Sequence, residues 1–311
     1  MAQDTTATGR RLKIGSRGSD LALWQARNVA ARMHSEPELV IIKTRGDRIR
    51  HIALDKVEGV GFFTKEIEAA LLGQEVDIAV HSYKDLPTEP TDQLHIAAVP
   101  ERGPVGDLLV LHQQKHDPDQ HFCLQRGARL GTSSLRRKAL LAYWRPDLQV
   151  EDVRGNVPTR LGKVRDRQLD AIVIAEAGVA RLDLWAQLQA DGLLAVRLPP
   201  REFSPAPAQG ALAVQVRHPD APARAAVAPV DHTATARAVA VERELLAKFG
   251  GGCHLPLGAY CTPHADGYSL HARVTAPNGS ETMVANATGD PEAVVTEVYE
   301  HLVYQGAKRY V

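Results

Sequence analysis

Asp85 stands in the segment of this chain that has the most specific setting for chemistry. The segment HSYKDLP (81–87) follows directly on an apolar run at residues 77–80, and it places Lys84 beside Asp85. A carboxylate at the carboxyl end of a buried strand can transfer protons or stabilise a developing cation. An aspartate shortly before a proline, here Pro87, is also common in turns. The residues alone therefore indicate either a catalytic carboxylate or a turn-forming aspartate.

Arginines follow several predicted strands, which is where α/β proteins bind their ligands. Arg accounts for 27 of the 37 basic residues, and a guanidinium binds carboxylate or phosphate through two N–H groups. Three of these arginines lie where two predicted helices begin, and free N–H groups there attract anions. Each arginine taken alone fits an exposed surface charge as well. The arginines in question are Arg17, Arg136, Arg137, Arg154 and Arg160.

Arg136 and Arg137 are neighbours on a predicted helix. Neighbouring side chains on a helix point about 100° apart, so both can face one ligand only if that ligand is large or branched. The pair therefore indicates either a site for such an anion or two solvated charges.

Cys253 directly follows three glycines that end a predicted helix. A thiolate in such a loop is a competent nucleophile, although a lone cysteine in a loop is also an ordinary small residue. Cys123 and Cys261 have no comparable setting, and we interpret them as structural. The odd number of cysteines and the lack of an apolar leader argue against a disulfide framework and predict a cytoplasmic protein.

Composition excludes several classes of protein. The chain has 311 residues, 44% of them hydrophobic, and its 37 basic and 37 acidic residues leave no net charge. A disordered chain would have fewer apolar residues and more net charge, and a typical nucleic-acid binder would be basic. No apolar stretch is long enough to span a membrane, and no cysteine and histidine cluster has zinc spacing. The polar residues 1–11 are predicted to form a disordered lead-in.

Two stretches of the chain share one order of elements: a strand, a turn of small residues, a helix and a later apolar strand. This order predicts two related α/β lobes that bind a ligand in the cleft between them. The first stretch has strands at 12–14, 40–42 and 77–80, a turn at 15–20, and helices at 21–33 and 64–72. The second has strands at 128–130, 150–153 and 170–175, a turn at 131–134, and helices at 135–144 and 157–164.

Proline and glycine suggest where the chain passes between lobes. Crossings are predicted at 100–104 and 199–200, followed by a strand at 211–216 and an Ala/Pro-rich linker at 219–229. The last part of the chain is predicted to form a small α+β domain. Its helices are predicted at 233–249 and 291–304, and its strands at 268–276 and 281–287 on either side of an Asn-Gly turn. The predicted domains are 12–100 with 200–218, then 101–199, then 230–311.

Six segments together resemble the porphobilinogen deaminases, also called hydroxymethylbilane synthases. The resemblance covers nearly the whole chain, and the segments occur in the order of that family. They are GSRGSDLALWQA (15–26), HSYKDLP (81–87), GTSSLRR (131–137), RGNVPTRL (154–161), PAPAQGALAV (205–214) and GGCHLPLGAY (251–260).

The resemblance implies a transferase of tetrapyrrole biosynthesis. Such enzymes join four porphobilinogen molecules head to tail, lose ammonia at each step and release hydroxymethylbilane. It implies a dipyrromethane cofactor held by a cysteine thioether, which falls at Cys253, and a catalytic aspartate at Asp85. It also implies two lobes like those of periplasmic binding proteins, a small C-terminal domain, and a cytoplasmic monomer with no membrane or nucleic-acid partner.

Further site residues come from the same resemblance. Arg17 and Ser19 fall at substrate positions, and Lys56 and Phe63 fall in a loop that covers the site. The chain departs from the family where Val60 replaces a lysine, Glu58 and Ala208 replace glycines, and Asp20 replaces a proline. The positions expected to hold the cofactor are Lys84, Ser134, Arg136, Arg137, Arg154 and Arg160.

Two other functions remain open from the residues. A two-lobed protein that holds a small anion without chemistry would have the same elements, but it would give no reason for the Cys253 loop or for a third domain. A nucleic-acid binder could use the Arg136–Arg137 helix, but zero net charge and 5% aromatic residues argue against it.

Overall fold

A computed structural model describes residues 10–44, 64–252 and 255–311 of the chain. The strands are β1 (Lys13–Ser16), β2 (Glu38–Ile41), β3 (Ile78–Ser82), β4 (Leu94–Ala98), β5 (Asp107–His112), β6 (Arg129–Gly131), β7 (Gln149–Glu151), β8 (Ala171–Ala175), β9 (Leu193–Leu198), β10 (Leu212–Arg217), β11 (Leu257–His264), β12 (Gly267–Thr275) and β13 (Thr282–Gly289). The helices are α1 (Asp20–Ala30), α2 (Lys65–Leu72), α3 (Leu135–Trp144), α4 (Val157–Arg165), α5 (Glu176–Arg181), α6 (Trp185–Ala190), α7 (Ala221–Val227), α8 (Thr233–Lys248) and α9 (Pro291–Tyr304).

The first two sheets have the same topology. Their strand orders are β2-β1-β3-β10-β4 and β7-β6-β8-β5-β9. In each sheet the first three strands are parallel, and the fourth runs antiparallel to both of its neighbours. The predicted pair of related α/β lobes is therefore confirmed.

Helices cover both faces of the first sheet because its central strands are apolar on both sides. Val80 and Val214 share one core with Val29 of α1. Ala79, which points the other way, shares a second core with Ile67 of α2. The second sheet likewise has a hydrophobic core on each face. This packing places the carboxyl ends of β1, β3 and β6 beside the helices that follow them.

The two connections between these sheets run side by side. The N–H of Gly103 donates to the carbonyl oxygen of Gly210 at 3.1 Å. The predicted crossing at 100–104 thus contacts the segment that returns the chain to β10, and residues 199–200 stand where that segment leaves β9. The predicted domain limits stay a prediction.

Ala208, at a position where the resemblance implies a glycine, lies in the returning segment with a left-handed φ of 62°. Its N–H donates to the buried carboxylate of Glu242 at 2.7 Å. Its side chain packs with Ala211 and Val239. These contacts hold a backbone conformation that glycine adopts more easily.

The predicted linker at 219–229 is wrong, because this segment contains α7. The Asp220 carboxylate accepts the N–H of Ala223 at 3.1 Å and caps the helix. Ala223 and Val227 are buried in the core beneath the first sheet. An Ala/Pro-rich composition was a poor guide here, because alanine favours helix and proline is tolerated in its first turn.

The third sheet is an antiparallel meander in the order β11-β12-β13. Leu245 of α8 and Val298 of α9 pack with Leu270 of β12 in a single core. The Asn-Gly turn falls between Thr275 and Thr282, which pair across β12 and β13. The predicted α+β C-terminal domain is confirmed as a fold.

Some strands have no predicted counterpart, namely β4, β5, β9 and β11. All of them pair only with antiparallel neighbours. Most predicted strands were recognised by the turn and helix that follow a parallel strand. The four strands without a prediction have no such signal. Helix α1 also ends at Ala30, before the predicted end at residue 33.

Several predictions concern residues that lie outside the described part of the chain. These are the positions of Lys56, Phe63 and Cys253, and residues 1–9 of the predicted lead-in. Arg10 donates a hydrogen bond to Asp77, and Arg11 donates one to the carbonyl oxygen of Glu36 at 2.9 Å. Within the described ranges, no helix has the length and apolar character that a membrane span requires.

Candidate functional site

A pocket lies where β1 and β3 end and α1 begins. It brings Asp85 together with Arg17 and Ser19, which lie more than 60 residues earlier in the chain. The residues that line it are Arg17, Ser19, Leu21, Ala22, Gln25, Thr64, Ile67, Val80, His81, Ser82 and Asp85. Its polar members can bind a small ligand that carries both charge and hydrogen-bonding groups.

Hydrogen bonds to α1 hold the walls of this pocket. The Ser19 hydroxyl accepts the N–H of Ala22 at 3.3 Å and caps the helix. Its own proton is left to donate to a ligand. The Gln25 amide donates to the Ser82 hydroxyl at 2.9 Å, which ties α1 to the end of β3.

Asp85 ends a single 3-10 turn, Tyr83–Asp85, directly after β3. The N–H of Leu86 closes the turn on the carbonyl oxygen of Tyr83 at 3.2 Å. The Asp85 side chain is half-buried, and among the described residues its carboxylate makes no hydrogen bond and no ion pair. Asp85 does lie in a turn, but its carboxylate is not used to stabilise that turn and faces the pocket.

A second group of polar residues surrounds the buried carboxylate of Asp107, at the start of β5. Arg136 donates to one of its oxygens at 2.9 Å, and Arg137 donates to the other at 2.7 Å. The Asp107 side chain is fully buried, and both arginines are nearly so. The two neighbouring arginines therefore converge on one branched anion, which is a side chain of the protein itself.

Backbone carbonyls take further protons from the two guanidiniums. Arg136 donates to Ser204 at 2.6 Å, and Arg137 donates to Val173 at 3.0 Å. The Nε atoms of both arginines have no hydrogen-bond partner within the described ranges. Neither guanidinium lies on the surface, so the Arg136–Arg137 helix does not present this pair to a nucleic-acid backbone.

Gln209 links this cluster to the segment that carries Asp85. Its amide donates to Asp107 at 2.9 Å and accepts from the Lys84 ammonium at 3.3 Å. Lys84 comes from the first sheet, whereas Asp107 begins a strand of the second. The residue next to Asp85 thus contacts a network that spans both sheets.

The electrostatics of the cluster follow from burial and from crowded cations. Burial by itself would raise the pKa of Asp107, but the charges and hydrogen bonds of Arg137 and Arg136 hold it well below its usual range. Burial lowers the pKa of Lys84 to about 8, an effect that Asp85 opposes. Burial, together with the nearby charges of Arg137 and Arg154, lowers the pKa of Arg160 to about 10.

Arg154 and Arg160 lie on the same side of the second sheet as the start of α3. The Ser133 hydroxyl accepts the N–H of Val153 at 3.0 Å and donates to its carbonyl oxygen at 2.8 Å, which brings Arg154 toward this helix. Arg160 donates to the carbonyl oxygen of Gly155 at 2.8 Å. Gly155 has a φ of 111°, which glycine adopts readily.

Ser134 is the residue before α3, and its hydroxyl makes no hydrogen bond to the first turn of that helix. The N–H groups at the start of α3 therefore have no side-chain cap from Ser134. Arg154 and Arg160 lie near this end of the helix. An anionic ligand is attracted to such a helix end.

Three residues of the network were missed by the sequence analysis: Asp107, Gln209 and Arg181. Asp107 heads the apolar run DLLVL, and a single acidic residue before such a run is a signal for a buried carboxylate. Arg181 donates to the carbonyl oxygen of Gly210 at 2.6 Å, and its guanidinium lies 5.7 Å from the ring centre of Trp24. No sequence pattern indicated that Arg181 would contact both the returning segment and α1.

Two related α/β sheets, a pocket at the strand ends of the first sheet and a buried group of cations define a two-lobed α/β protein. The model of the family "Porphobilinogen deaminase, dipyromethane cofactor binding domain" matches residues 12–225, and that of the C-terminal domain of porphobilinogen deaminase matches residues 236–303. The chain belongs to the porphobilinogen deaminase family. It is thus a transferase of tetrapyrrole synthesis with a dipyrromethane-binding domain, and the binding-protein alternative is wrong.

Curated relatives cover almost the whole chain. The porphobilinogen deaminase of Syntrophomonas wolfei is 41% identical over 307 residues, which are 96% of each chain. That of Moorella thermoacetica is 40% identical over 306 residues, which are 95% of this chain and 94% of its own.

Solved structures are also similar in part. A Salmonella typhimurium periplasmic binding protein with high arginine specificity has a TM-score of 0.42 at 13% identity, over 76% of this chain and 98% of its own. An ancestral arginine-binding protein bound to glutamine has a TM-score of 0.38 at 14% identity, over 77% and 93%. The fold class itself is defined by the strand orders described above.

The cluster around Asp107 fits a dipyrromethane, which carries an acetate and a propionate on each ring. Arg136, Arg137 and Lys84 lie close to the single buried carboxylate of Asp107, and Arg160 lies near Arg137, so the cations outnumber this carboxylate. Arg160 makes no ion pair within the described ranges. Buried cations in excess are unfavourable unless an anion binds, and several carboxylates would offset them.

Lys84 should make the stability of the cofactor-free protein increase with pH. Its folded pKa of about 8 lies below the value of about 10.4 for an unfolded lysine. As the pH rises through this interval the folded state releases its proton first, so the unfolded state binds more protons and folding becomes more favourable. Below about pH 8 Lys84 is charged in both states, so the full free-energy cost of its buried charge still lowers the stability.

Urea unfolding measures this effect when Cys253→Ala is compared with Cys253→Ala Lys84→Met. We expect the stability of the lysine protein to rise relative to that of the methionine variant between about pH 8 and pH 10. The lost hydrogen bond to Gln209 adds an offset to the comparison. If the difference in unfolding free energy between the two proteins stays constant from about pH 8 to pH 10, the prediction is wrong.

Proposed function

We propose that porphobilinogen binds in the pocket beside Asp85, and that Asp85 is the catalytic residue. The observation that supports this most strongly is that Arg17, Ser19 and Asp85 line one pocket, while Lys84 joins the buried arginine cluster. A ligand in this pocket would therefore meet one carboxylate and several fixed cations. Those are the groups that a pyrrole with two acid side chains and a cationic reaction centre requires.

Arg17 and Ser19 orient the substrate. The Arg17 guanidinium binds a carboxylate of porphobilinogen, and the Ser19 hydroxyl, which already accepts from Ala22, donates its remaining proton to the same ligand. Binding at the acid groups leaves the aminomethyl carbon directed at Asp85. A substrate fixed in this way reacts in an effectively unimolecular step.

Asp85 acts on the charge that develops at that carbon. Loss of ammonia leaves an electron-poor azafulvenium-type cation, and the ionised carboxylate stabilises it. The α-carbon of an attacking pyrrole then forms the new carbon–carbon bond and loses its proton, which Asp85 accepts. Ring aromaticity is restored, and the proton leaves the site before the next round.

The cofactor is held by the cationic cluster. Lys84, Arg136, Arg137, Arg154 and Arg160, with Ser134 at the start of α3, bind its acetate and propionate groups, and Cys253 forms the thioether. When bound, the dipyrromethane supplies the pyrrole carbon to which the first substrate unit is joined. Arg suits this role because it stays charged and binds carboxylate through two N–H groups.

Lys56 and Phe63 are proposed to cover the site, and the connections at 100–104 and 199–200 are proposed to let the lobes move as the product lengthens. We propose further that the chain acts as a cytoplasmic monomer on a small molecule, without nucleic acid. In support, its charges balance, and the large exposed apolar side chains of the described residues are scattered, at Ile41, Leu72, Tyr143 and Tyr304.

The mass of the intact purified protein tests the cofactor proposal. We expect the wild-type chain to exceed its sequence mass by two linked pyrrole units and to give a colour with Ehrlich's reagent. Cys253→Ala should lack both signals, whereas Cys123→Ser, which changes a half-buried cysteine elsewhere, should retain them. An active wild-type protein with no added mass would refute the thioether.

A further inference from the structure

The turn that carries Asp85 is held from outside by Arg243, a residue of α8. The Arg243 guanidinium donates to the carbonyl oxygens of Tyr83 at 3.3 Å and Leu86 at 3.1 Å. It also donates to the carbonyl oxygen of Pro87. The same guanidinium lies 4.4 Å from the ring centre of Tyr83. Its acceptors therefore lie on both sides of Asp85 in the chain.

The turn is anchored on one side by the segment that returns to β10, because the Tyr83 N–H donates to the carbonyl oxygen of Ala211 at 3.1 Å and Lys84 donates to Gln209 at 3.3 Å. Within itself it has little to keep its shape. It is one 3-10 turn of three residues, Tyr83–Asp85. Its internal backbone hydrogen bond is the one from Leu86 to Tyr83. Short 3-10 turns have poor hydrogen-bond geometry and are set by their surroundings. The position of Asp85 thus depends on what contacts the turn.

Helix α8 is a firm support for this contact. Glu242, the neighbour of Arg243, is fully buried and accepts two hydrogen bonds from Arg102, at 2.6 and 2.9 Å. It also accepts the backbone N–H groups of Cys261 at 2.6 Å and Ala208 at 2.7 Å. The helix is therefore fixed to the third sheet and to the segment between the lobes at the residue that precedes Arg243.

The end of α8 contacts the catalytic segment a second time. Gly251 has a φ of 69°, and a Cβ added to it would lie 2.1 Å from the Thr88 hydroxyl. Thr88 follows Asp85 by three residues. The glycine loop after α8 thus packs directly on the chain that leaves the turn, and a larger residue at position 251 would force Thr88 to move.

We propose that Arg243 is a positioning residue for the reaction: it holds the Tyr83–Asp85 turn through three backbone carbonyls and so sets where the Asp85 carboxylate stands. The inference rests on the proposed catalytic role of Asp85. Arg17 and Ser19 line the pocket that Asp85 faces, whereas Arg243 lines a different pocket on the far side of the turn. It acts through the turn rather than on the substrate.

Steady-state kinetics of Arg243→Ala test this proposal, with cofactor content checked by intact mass. We expect kcat to fall about 10- to 100-fold, because a displacement of about 1 Å at a reacting group costs that much. The KM for porphobilinogen should stay within about twofold, since Arg17 and Ser19 are unchanged. Arg243→Lys should recover part of the rate, because it keeps the charge but cannot reach three carbonyls at once.

Arg237→Ala is the matched control, since Arg237 is exposed on the same helix and should tolerate the change with wild-type kcat. The second measurement is coupling to Asp85. Because both residues act through one carboxylate, the kcat losses of Arg243→Ala and Asp85→Glu should not multiply in the double variant. If Arg243→Ala does not fold, the same kcat and coupling measurements are made with Arg243→Lys.

A wild-type kcat in the folded, cofactor-loaded Arg243→Ala protein would overturn the inference, as would losses that multiply. A loss explained wholly by unfolded or cofactor-free protein would do the same, because that is a structural role. The proposed function fails separately, if Asp85→Asn retains its rate. An inactive Asp85→Asn beside a fully active Arg243→Ala would refute the positioning role alone.

Discussion

Asp85→Asn should lower kcat by about 10³-fold while the protein still folds and carries its cofactor. The amide keeps the size of the side chain but removes the charge that stabilises the cation and the group that accepts the proton, which are each worth about 10²-fold or more. Folding should survive because the carboxylate makes no hydrogen bond or ion pair with the part of the chain that the structure describes.

Single-turnover and steady-state rates with porphobilinogen measure this effect, together with thermal unfolding of the same samples. Asp92→Asn is the control, because Asp92 is an exposed carboxylate that shortly follows the turn. It should leave both the rate and the stability unchanged. A near-normal rate for Asp85→Asn would remove Asp85 from the chemistry.

Asp107→Asn should destabilise the protein by about 3–5 kcal/mol, the cost of leaving buried charges without their partner. The side chain of Asp107 is fully buried, and it accepts from Arg136, Arg137 and Gln209. Asparagine has the same shape, so no cavity contributes to the loss. The two guanidiniums would keep their backbone acceptors but lose their anion.

Urea unfolding compares this variant with Asp166→Asn, which breaks an ion pair whose side chains are about half exposed, at 51% and 48%. That control should leave the stability almost unchanged, because water screens an exposed ion pair. A loss of similar size in both variants would show that burial does not matter here.

The pH dependence gives a second check on Asp107. Its folded pKa lies well below the unfolded value of about 3.9, so its contribution is complete above that value. As the pH falls below about 4, the unfolded state takes up a proton first, and the contribution is progressively lost. The stability gap between wild type and Asp107→Asn should therefore be constant near neutral pH and should narrow in acid.

Much of the fold was readable from local patterns. The parallel strands β3 and β8 contain short apolar runs, and β1 and β6 are each followed by a turn of small residues and a helix. The segments around Asp85 and Arg136 stood out because charged residues directly follow such runs. These signals are local, since side-chain period and turn chemistry are set by a few neighbouring residues.

The antiparallel strands β4, β5, β9 and β11, the place of the predicted strand β10 in its sheet, and α7 were not readable in that way. Strand β10 enters the first sheet between β3 and β4 after the chain has built the second sheet. Its partners lie more than a hundred residues away in the chain, so no local signal specifies them. The Ala/Pro-rich segment became a helix because its buried face packs against that sheet.

By itself the sequence determined the class of the molecule and, through its ordered motifs, the family, and it singled out Asp85 and the arginines as candidates for the chemistry. Only the tertiary structure decided that Arg136 and Arg137 share Asp107, that Gln209 joins them to Lys84, and that Arg243 holds the turn of Asp85. The physical reason is that ion pairs and hydrogen bonds join groups close in space, and chain folding brings them together from distant positions.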